Sequence, residues 1–265
     1  MITEIDINSD LGEGYGNYKA GNDEEVMKYV TTANIACGFH AGDPCIMRKT
    51  VELAKRNGVV IGAHPGFPDL MGFGRRKMEI SEDDAWCYTI YQVGALKAFV
   101  ETAGLELHHV KPHGALYWVL TEDEKLSKVI CEAIIKIDPD LPVYWPSPLT
   151  EAFPRIATEM GLKAVGELNA DTGYTPDGIV APFREKHAID LEGVRKRIRQ
   201  FITEGTVTAI NGEVIKKEAQ SICTHGDTPN AVDVLKAIRD ELKKANISIT
   251  PARKPSSQAK PKSTG

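Results

Sequence analysis

The sequence predicts an α/β fold in a single domain, with a parallel sheet closed into a barrel. Three observations carry this. Short apolar runs alternate with longer amphipathic ones along most of the chain, the pattern of strands joined by helical crossovers. Nearly every apolar run ends in charged or hydrogen-bonding residues, and loops converge on ligands at that end of parallel strands. The first run, TEIDINSD, sets Ile5 and Ile7 on one face and Asp6, Asn8 and Asp10 on the other. An open doubly wound sheet covers both faces with apolar helices, where such a polar face is costly. A barrel lumen can receive it.

Taken in order, strands are expected at 2–9, 32–37, 58–62, 107–110, 142–145, 163–166, 206–210 and 219–223. Helices are expected at 43–57, 81–103, 121–137, 149–160, 190–204 and 228–244. Pro44 opens the first helix, Ser81 followed by acidic residues caps the second, and Thr121 does the same for the third. Gly58, Gly104 and Gly161 follow helices, as C-terminal glycines do. The pair Asn211-Gly212 between strand-like runs predicts a hairpin within 206–223. The stretch 173–188 reads as a long loop or a second small hairpin.

Composition bounds the function. A chain of 265 residues with 42% hydrophobic and 26% charged residues is ordinary for a globular protein and can bury a sizeable core. No apolar run approaches the ~20 residues of a membrane span, and the acidic start MITEIDINSD is unlike a signal peptide. The expectation is a cytoplasmic protein with no membrane partner. The five cysteines (37, 45, 87, 131 and 223) include no C-x-x-C and fit reduced thiols. Net charge is −5, but the tail PARKPSSQAKPKSTG contributes four basic residues, leaving 1–250 at −9. An acidic body argues against nucleic acid. Residues 1–250 are therefore read as the barrel domain and 251–265 as a disordered basic tail.

The strand ends supply the candidate site. The first is followed by Asp10 and Glu13, the second by His40 and Asp43. The third gives His64, Asp69, Arg75 and Arg76, and the fourth Lys111 and His113. Later ones give Ser147, then Glu167 and Asp171, and finally His225 and Asp227. A lone strand-end histidine is usually structural, and His108 and His109, inside a strand, are read that way. Four independent histidine-bearing junctions are harder to dismiss. Carboxylates beside histidines serve as general acid and base or hold a divalent metal. Glycines around Arg75 and Arg76 suit an anion site, and Lys111 could stabilise a developing oxyanion or phosphate charge. H-E-x-x-H, a nucleophile elbow and a Walker A loop are all missing. The residues alone lead to a hydrolase or lyase acting on a small polar substrate, with metal assistance left open.

The stretches DINSDLGEGYG, ANIACGFHAGDP, GAHPGFPDLMGFGRR, YQVGAL, VKPHGALY and ICTHGDTPNAV together resemble the LamB/YcsF family of lactam-utilisation proteins. That family is identified with the A component of the ATP-hydrolysing 5-oxoprolinase, and the resemblance spans about residues 1–250. It implies an irregular seven-stranded (β/α) barrel, glycoside hydrolase/deacetylase-like. It implies opening of 5-oxo-L-proline to L-glutamate coupled to ATP with Mg2+ as co-substrate, together with the B and C components of 5-oxoprolinase. Phosphorylating the carbonyl oxygen of an unreactive amide would turn that oxygen into a leaving group. Asp10, Glu13, Asn34, His40, Asp43, His64, Lys111, His113, His225 and Asp227 sit in the matching stretches. The roles assigned to them are expectations: Lys111, Arg75 and Arg76 for anionic oxygens, Asp10 or Asp43 as base, and His113 as proton donor. His225 and Asp227 join the catalytic group, Glu13, Asn34, Glu167 and Asp171 bind substrate, and His40 with His64 holds a metal. At 167–174, ELNADTGY, the chain departs from the family pattern: Asn169 and Thr172 replace an aromatic and an arginine. Two readings compete with this one, a stand-alone metal-dependent amidohydrolase or deacetylase and a non-catalytic component that only binds substrate; homo-oligomerisation is left open.

Overall fold

The computed structural model describes residues 2–181 and 187–254. In chain order, β1 (Glu4–Leu11), the short α1 (Asp23–Val26), β2 (Thr32–Ala36), α2 (Pro44–Asn57) and β3 (Val60–His64) come first. They are followed by α3 (Glu82–Thr102), β4 (Leu107–Val110), α4 (Gly114–Leu120), α5 (Glu124–Ile137), β5 (Val143–Pro146), α6 (Ala152–Glu159) and β6 (Ala164–Asn169). The last third holds α7 (Leu191–Glu204), the hairpin β7 (Thr206–Thr208) and β8 (Val214–Lys216), then β9 (Ser221–His225), α8 (Ala231–Lys244) and β10 (Ser248–Ile249).

Seven parallel strands close on themselves in the order β1-β2-β3-β4-β5-β6-β9, with β9 returning to β1. Asp10 pairs with Asn34 of β2 on one side and His225 of β9 on the other. The barrel is irregular: β10 joins only the start of β1, β4 and β5 share the single pair Val110–Val143, and the β3–β4 register slips at Ile61/Gly62. At the slip, a Cβ on Gly62 would lie 2.0 Å from the His109 ring, so only glycine leaves room for that imidazole. Among the described residues no helix is long and apolar enough to cross a membrane.

The alternation along β1 works as expected. Ile5, Ile7 and Leu11 join the hydrophobic core, while Asp6, Asn8 and Asp10 meet polar partners across the lumen. Asp6 accepts from the hydroxyls of Thr31, Thr32 and Ser221 at 2.6 Å each and from Tyr144 at 3.2 Å. Burial pushes its carboxyl pKa up, and those donors act against the rise. One layer higher, Asn34 Nδ2 donates to Asn8 Oδ1 and to Asp10 Oδ1, both at 2.8 Å, and Asn34 Oδ1 lies 2.7 Å from His109 Nε2. His109 is thus a hydrogen-bonded structural residue, and so is His108, whose Nε2 lies 2.9 Å from the Ala252 carbonyl.

Several expectations shift. The helix expected from Thr121 starts at Glu124, because Asp123 caps it through Leu126 N–H, while Thr121 terminates the separate α4. The strand expected at 163–166 runs on to Asn169. The Asn211-Gly212 hairpin forms, outside the barrel. Residues 173–181 make a small hairpin with a Tyr174–Val180 bridge, while 182–186 lie outside the described residues. The tail expected to be disordered from 251 is held at its start: Ala252 O meets His108, Arg253 O accepts from Lys163, and Lys254 lies 3.9 Å from Asp138. Residues 255–265 lie outside the described residues.

Candidate active site

The site lies at the C-terminal ends of β1, β2, β3, β4, β6 and β9, where loops fold over the lumen. The loop after β1 carries Glu13 and the loop after β2 carries His40; Gly42 N–H donating to Gly14 O ties the two together. Asp43 has the N-cap role that a short carboxylate before Pro44 suits. Its oxygens accept from Cys45, Ile46 and Gly16 N–H at 2.8–3.0 Å, and Ile46 and Gly16 foremost hold its pKa below the usual carboxylate range. Asp43 therefore faces the helix start rather than the lumen, which corrects its assignment as a base.

His64, ending β3, turns Nδ1 to the Lys111 carbonyl at 2.7 Å, so its Nε2 faces inward, 3.4 Å from Asp10 Oδ2. His113 sends Nε2 to the Phe73 carbonyl at 2.8 Å and faces His64 Nε2 with Nδ1 at 3.0 Å. A carbonyl only accepts, so each imidazole places its proton on the outer nitrogen. Two lone pairs then confront each other. Burial, and after it His40 and His64, holds the His113 pKa well below the usual value, so His113 does not itself supply the missing proton. His40 stacks on His113 with ring centroids 3.7 Å apart, and neither of its nitrogens has a hydrogen-bond partner among the described residues. Glu13 Oε1 is equally without one, 3.5 Å from His40 Nε2 and 3.8 Å from His113 Nδ1.

Glu13, His40, His64 and His113 thus each aim one ligand atom at a common point, all within 4.8 Å of one another. Three imidazole nitrogens and one carboxylate oxygen are a donor set suited to zinc or a similar divalent ion. The orphaned atoms and the facing lone pairs fit such an ion. Glycines make the space: a Cβ on Gly74 would meet His40 at 2.6 Å and His113 at 2.8 Å. The expected pair His40 and His64 is therefore brought together with two residues for which other roles were expected.

Beside this cluster sits a buried charge network. Lys111 Nζ lies 3.0 Å from Asp10 Oδ1, 3.2 Å from Glu167 Oε1 and 3.0 Å from Cys223 Sγ. Burial opposes the ammonium, yet Asp10, Cys223 and Glu167 outweigh it and hold its pKa well above normal. Burial likewise opposes ionisation of Asp10, but His64 and Lys111 win and hold that carboxyl well below its usual range. At the end of β9, His225 Nδ1 lies 3.0 Å from Asp171 Oδ1, its backbone N–H donates to Asp171 Oδ2 at 2.7 Å, and its Nε2 lies 3.9 Å from Asp10. Burial would lower the His225 pKa; the Asp171 carboxylate reverses that and raises it.

A cavity opens onto Asp10, His64, Lys111, His113 and His225. Arg75 lines it, beside the Phe73 ring. Arg76 does not: its guanidinium pairs with Asp69 and its side chain is 68% exposed. Asp227 follows β9 in a turn packed on Gly21 and is not among the cavity's lining residues. Tyr117 and Trp118 of α4 and Asn169 of β6 also line the cavity and were not singled out for it in the sequence. An apolar helix-length run after Lys111-Pro112 and the period-2 continuation from Glu167 were the available signals.

The profile of the LamB/YcsF family matches residues 5–257. A curated protein of Pyrococcus horikoshii, named as the A component of 5-oxoprolinase, is 49% identical over 251 residues, covering 94% of this chain and 98% of the relative. Its namesake in Campylobacter jejuni is 45% identical over 248 residues, covering 93% and 96%. The crystal structure of a lactam utilization protein from Thermus thermophilus superposes with a TM-score of 0.86 at 39% identity, covering 93% of this chain and 99% of that one. A putative cellobiose-phosphate cleavage protein from Enterococcus faecalis shares the fold, with a TM-score of 0.56 at 13% identity and coverage of 94% and 97%.

Proposed function

Because the chain belongs to the LamB/YcsF family, we propose that it is the A component of a cytoplasmic ATP-hydrolysing 5-oxoprolinase. In this role it opens the cyclic amide of 5-oxoproline to L-glutamate, with the B and C components as partners and MgATP as co-substrate. The observation that carries the reading is the convergence of Asp10, Lys111 and His225 on one cavity beside the four-residue ligand cluster.

Hydrolysis adds water across the ring C–N bond, so the site must orient water, steady a charged oxygen and protonate the leaving nitrogen. Asp10, ionised and facing the cavity, orients the water. Lys111 keeps its ammonium and stabilises negative charge at the carbonyl oxygen or on a phosphoryl group. His225, oriented by the Asp171 carboxylate, which also stabilises its protonated form, is the proton donor to nitrogen. His113 is better suited as a ligand than as the expected donor, since its outer N–H is committed to Phe73 O. Arg75 pairs with the substrate carboxylate. Glu13, His40, His64 and His113 would hold a divalent ion, which supplies Lewis acidity to the amide carbonyl.

The test is glutamate and ADP formation from 5-oxoproline and MgATP, with and without the B and C components. Stoichiometric products that vanish with Asp10→Asn and Lys111→Met support the reading; absence of glutamate from the complete mixture overturns it. The ligand cluster favours a second reading, a metal-dependent amidohydrolase working alone. Turnover without ATP or partners, abolished by chelation, would select that one.

A further inference from the structure

Asp171 orients His225, yet the stretch that carries Asp171 belongs to no strand or helix. β6 ends at Asn169 and the small hairpin begins at Tyr174, so residues 170–173 take their position from individual contacts. At the ends of the stretch, Ala170 N–H donates to Cys223 O at 3.0 Å and Gly173 O accepts from Ala181 N–H at 2.9 Å. Between them a side chain reaches in from α7: Arg197 Nη1 donates to Ala170 O and to Thr172 O, both at 2.6 Å. Those are the carbonyls on either side of Asp171. Arg195 and Arg199, on the same helix, pair with Glu241 of α8. Arg197 pairs with no carboxylate among the described residues and gives its hydrogen bonds to the two carbonyls instead. Bonds from a cation are roughly twice as strong as neutral ones, and the rigid guanidinium fixes their direction.

An aspartate has a short side chain, so its carboxylate follows its backbone closely. Asp171 Oδ2 accepts from His225 N–H at 2.7 Å and Oδ1 lies 3.0 Å from His225 Nδ1, so a backbone shift of about 1 Å would break both bonds. We propose that Arg197 is a positioning residue: by clamping the carbonyls on either side of Asp171, it fixes the carboxylate that orients His225. This rests on the ring-opening reading above, in which His225 passes its Nε2 proton to the leaving nitrogen as the ring C–N bond breaks. Arg197 touches neither substrate nor His225. It acts through Asp171 alone.

The test is the His225 pKa, read from the imidazole C–H signals by NMR on the full chain, in wild type, Arg197→Met, Asp171→Asn and the double variant. Burial works against the imidazolium and Asp171 overrides it, with Asp10 and Lys111 also acting on the ring; those two stay in place throughout. In Arg197→Met the pKa should fall towards that of Asp171→Asn, and the double variant should fall no further than Asp171→Asn. Removing a positive charge would by itself raise the pKa, so the direction separates the clamp from a direct charge effect. In the complete 5-oxoprolinase mixture, Arg197→Met should lower kcat by about tenfold or more with KM within about twofold. Arg197→Lys, which keeps the charge and a donor, should fall between wild type and Arg197→Met and serves if methionine disturbs folding. A His225 pKa that stays at the wild-type value or rises in a folded variant overturns the inference, as does loss of folding in both variants. If the wild-type mixture forms no glutamate, the ring-opening reading falls, while the pKa comparison still decides the clamp.

Discussion

Replacing Lys111 by methionine separates charge from volume, since the side chains are similar in length and the site is buried. Its ammonium lies 3.0 Å from Asp10 and 3.2 Å from Glu167, both buried carboxylates. A single such attraction amounts to about 4 kcal/mol at ~4 Å with an effective dielectric of ~20. Deleting one partner of a buried pair costs about 3–5 kcal/mol, mostly by stranding the opposite charge. Two carboxylates are stranded here, so Lys111→Met should lose about 3–5 kcal/mol in urea unfolding at pH 7, near the upper end. The sign with pH follows from Asp10. In wild type its folded pKa is depressed, so its contribution is present above the unfolded value of about 3.9 and is lost only in stronger acid. Without the ammonium one of the main causes of that depression is gone, His64 alone of the two remains, and burial moves the folded pKa upwards. The penalty is then full at pH 7 and shrinks as pH falls towards about 4–5, where a proton replaces the lost cation. A loss under about 1 kcal/mol at pH 7, or one that stays constant between pH 7 and 5, would refute the ion-pair account.

Three other outcomes follow from the geometry. Elemental analysis after dialysis against zinc, manganese or cobalt should find one ion per chain, and a hundredfold excess over Kd should stabilise unfolding by about 2.7 kcal/mol; His40→Ala should abolish the shift, and no shift with any of these ions sinks the cluster as a metal site. Asp43→Ala should cost about 0.5–2 kcal/mol as a lost helix cap while leaving kcat within about twofold, whereas a base would lose orders of magnitude. Lys217 donates to the Ser147 and Gly178 carbonyls, and burial, against the opposing pull of Glu151, brings its pKa down to about 8. The cost of burying its charge is full below that value and is relieved up to the unfolded pKa of about 10.4, so wild type should gain stability relative to Lys217→Met between pH 8 and 10; a flat difference in melting temperature would contradict this.

The barrel, and the gathering of most of the residues at its candidate site, were legible because their signals are local. Period-2 alternation in β1 exposed Asp6, Asn8 and Asp10 as a lumen face, and strand-end placement collected His40, His64, Lys111 and His225. Asp43 misled because two local signals coincided: it stands at a strand–helix junction, as site residues do, and directly before Pro44, as caps do. The cap signal was the more specific and prevailed. Arg75 and Arg76 are adjacent in sequence, yet one lines the cavity and the other pairs with Asp69; that choice depends on where Asp69 falls before the three-residue turn Leu70–Gly72. The joining of Glu13 and His113 to the two expected ligands was hidden for another reason. It depends on which ring nitrogen each backbone carbonyl claims, and those carbonyls belong to Phe73 and Lys111, on elements distant in sequence.

The two levels of the lumen that carry carboxylates act as each other's control. At the lower end, Asp6 is fully buried and satisfied by four hydroxyls, all of them from the barrel itself. The same fold, using the same residue types, can therefore saturate a buried carboxylate without outside help. At the upper end it does not: Glu13 Oε1, both nitrogens of His40 and Asn169 Oδ1 are buried without hydrogen-bond partners among the described residues. Each such atom costs about 1–3 kcal/mol, and stability alone would favour a hydroxyl opposite each, as below. The atoms around the ligand cluster share one chemistry. Around Glu13 and the imidazoles they are convergent lone pairs, which call for a cation. The convergence of Glu13 and the imidazoles at the upper end, set against the saturated Asp6 below, marks that end as the place where the protein expects a ligand.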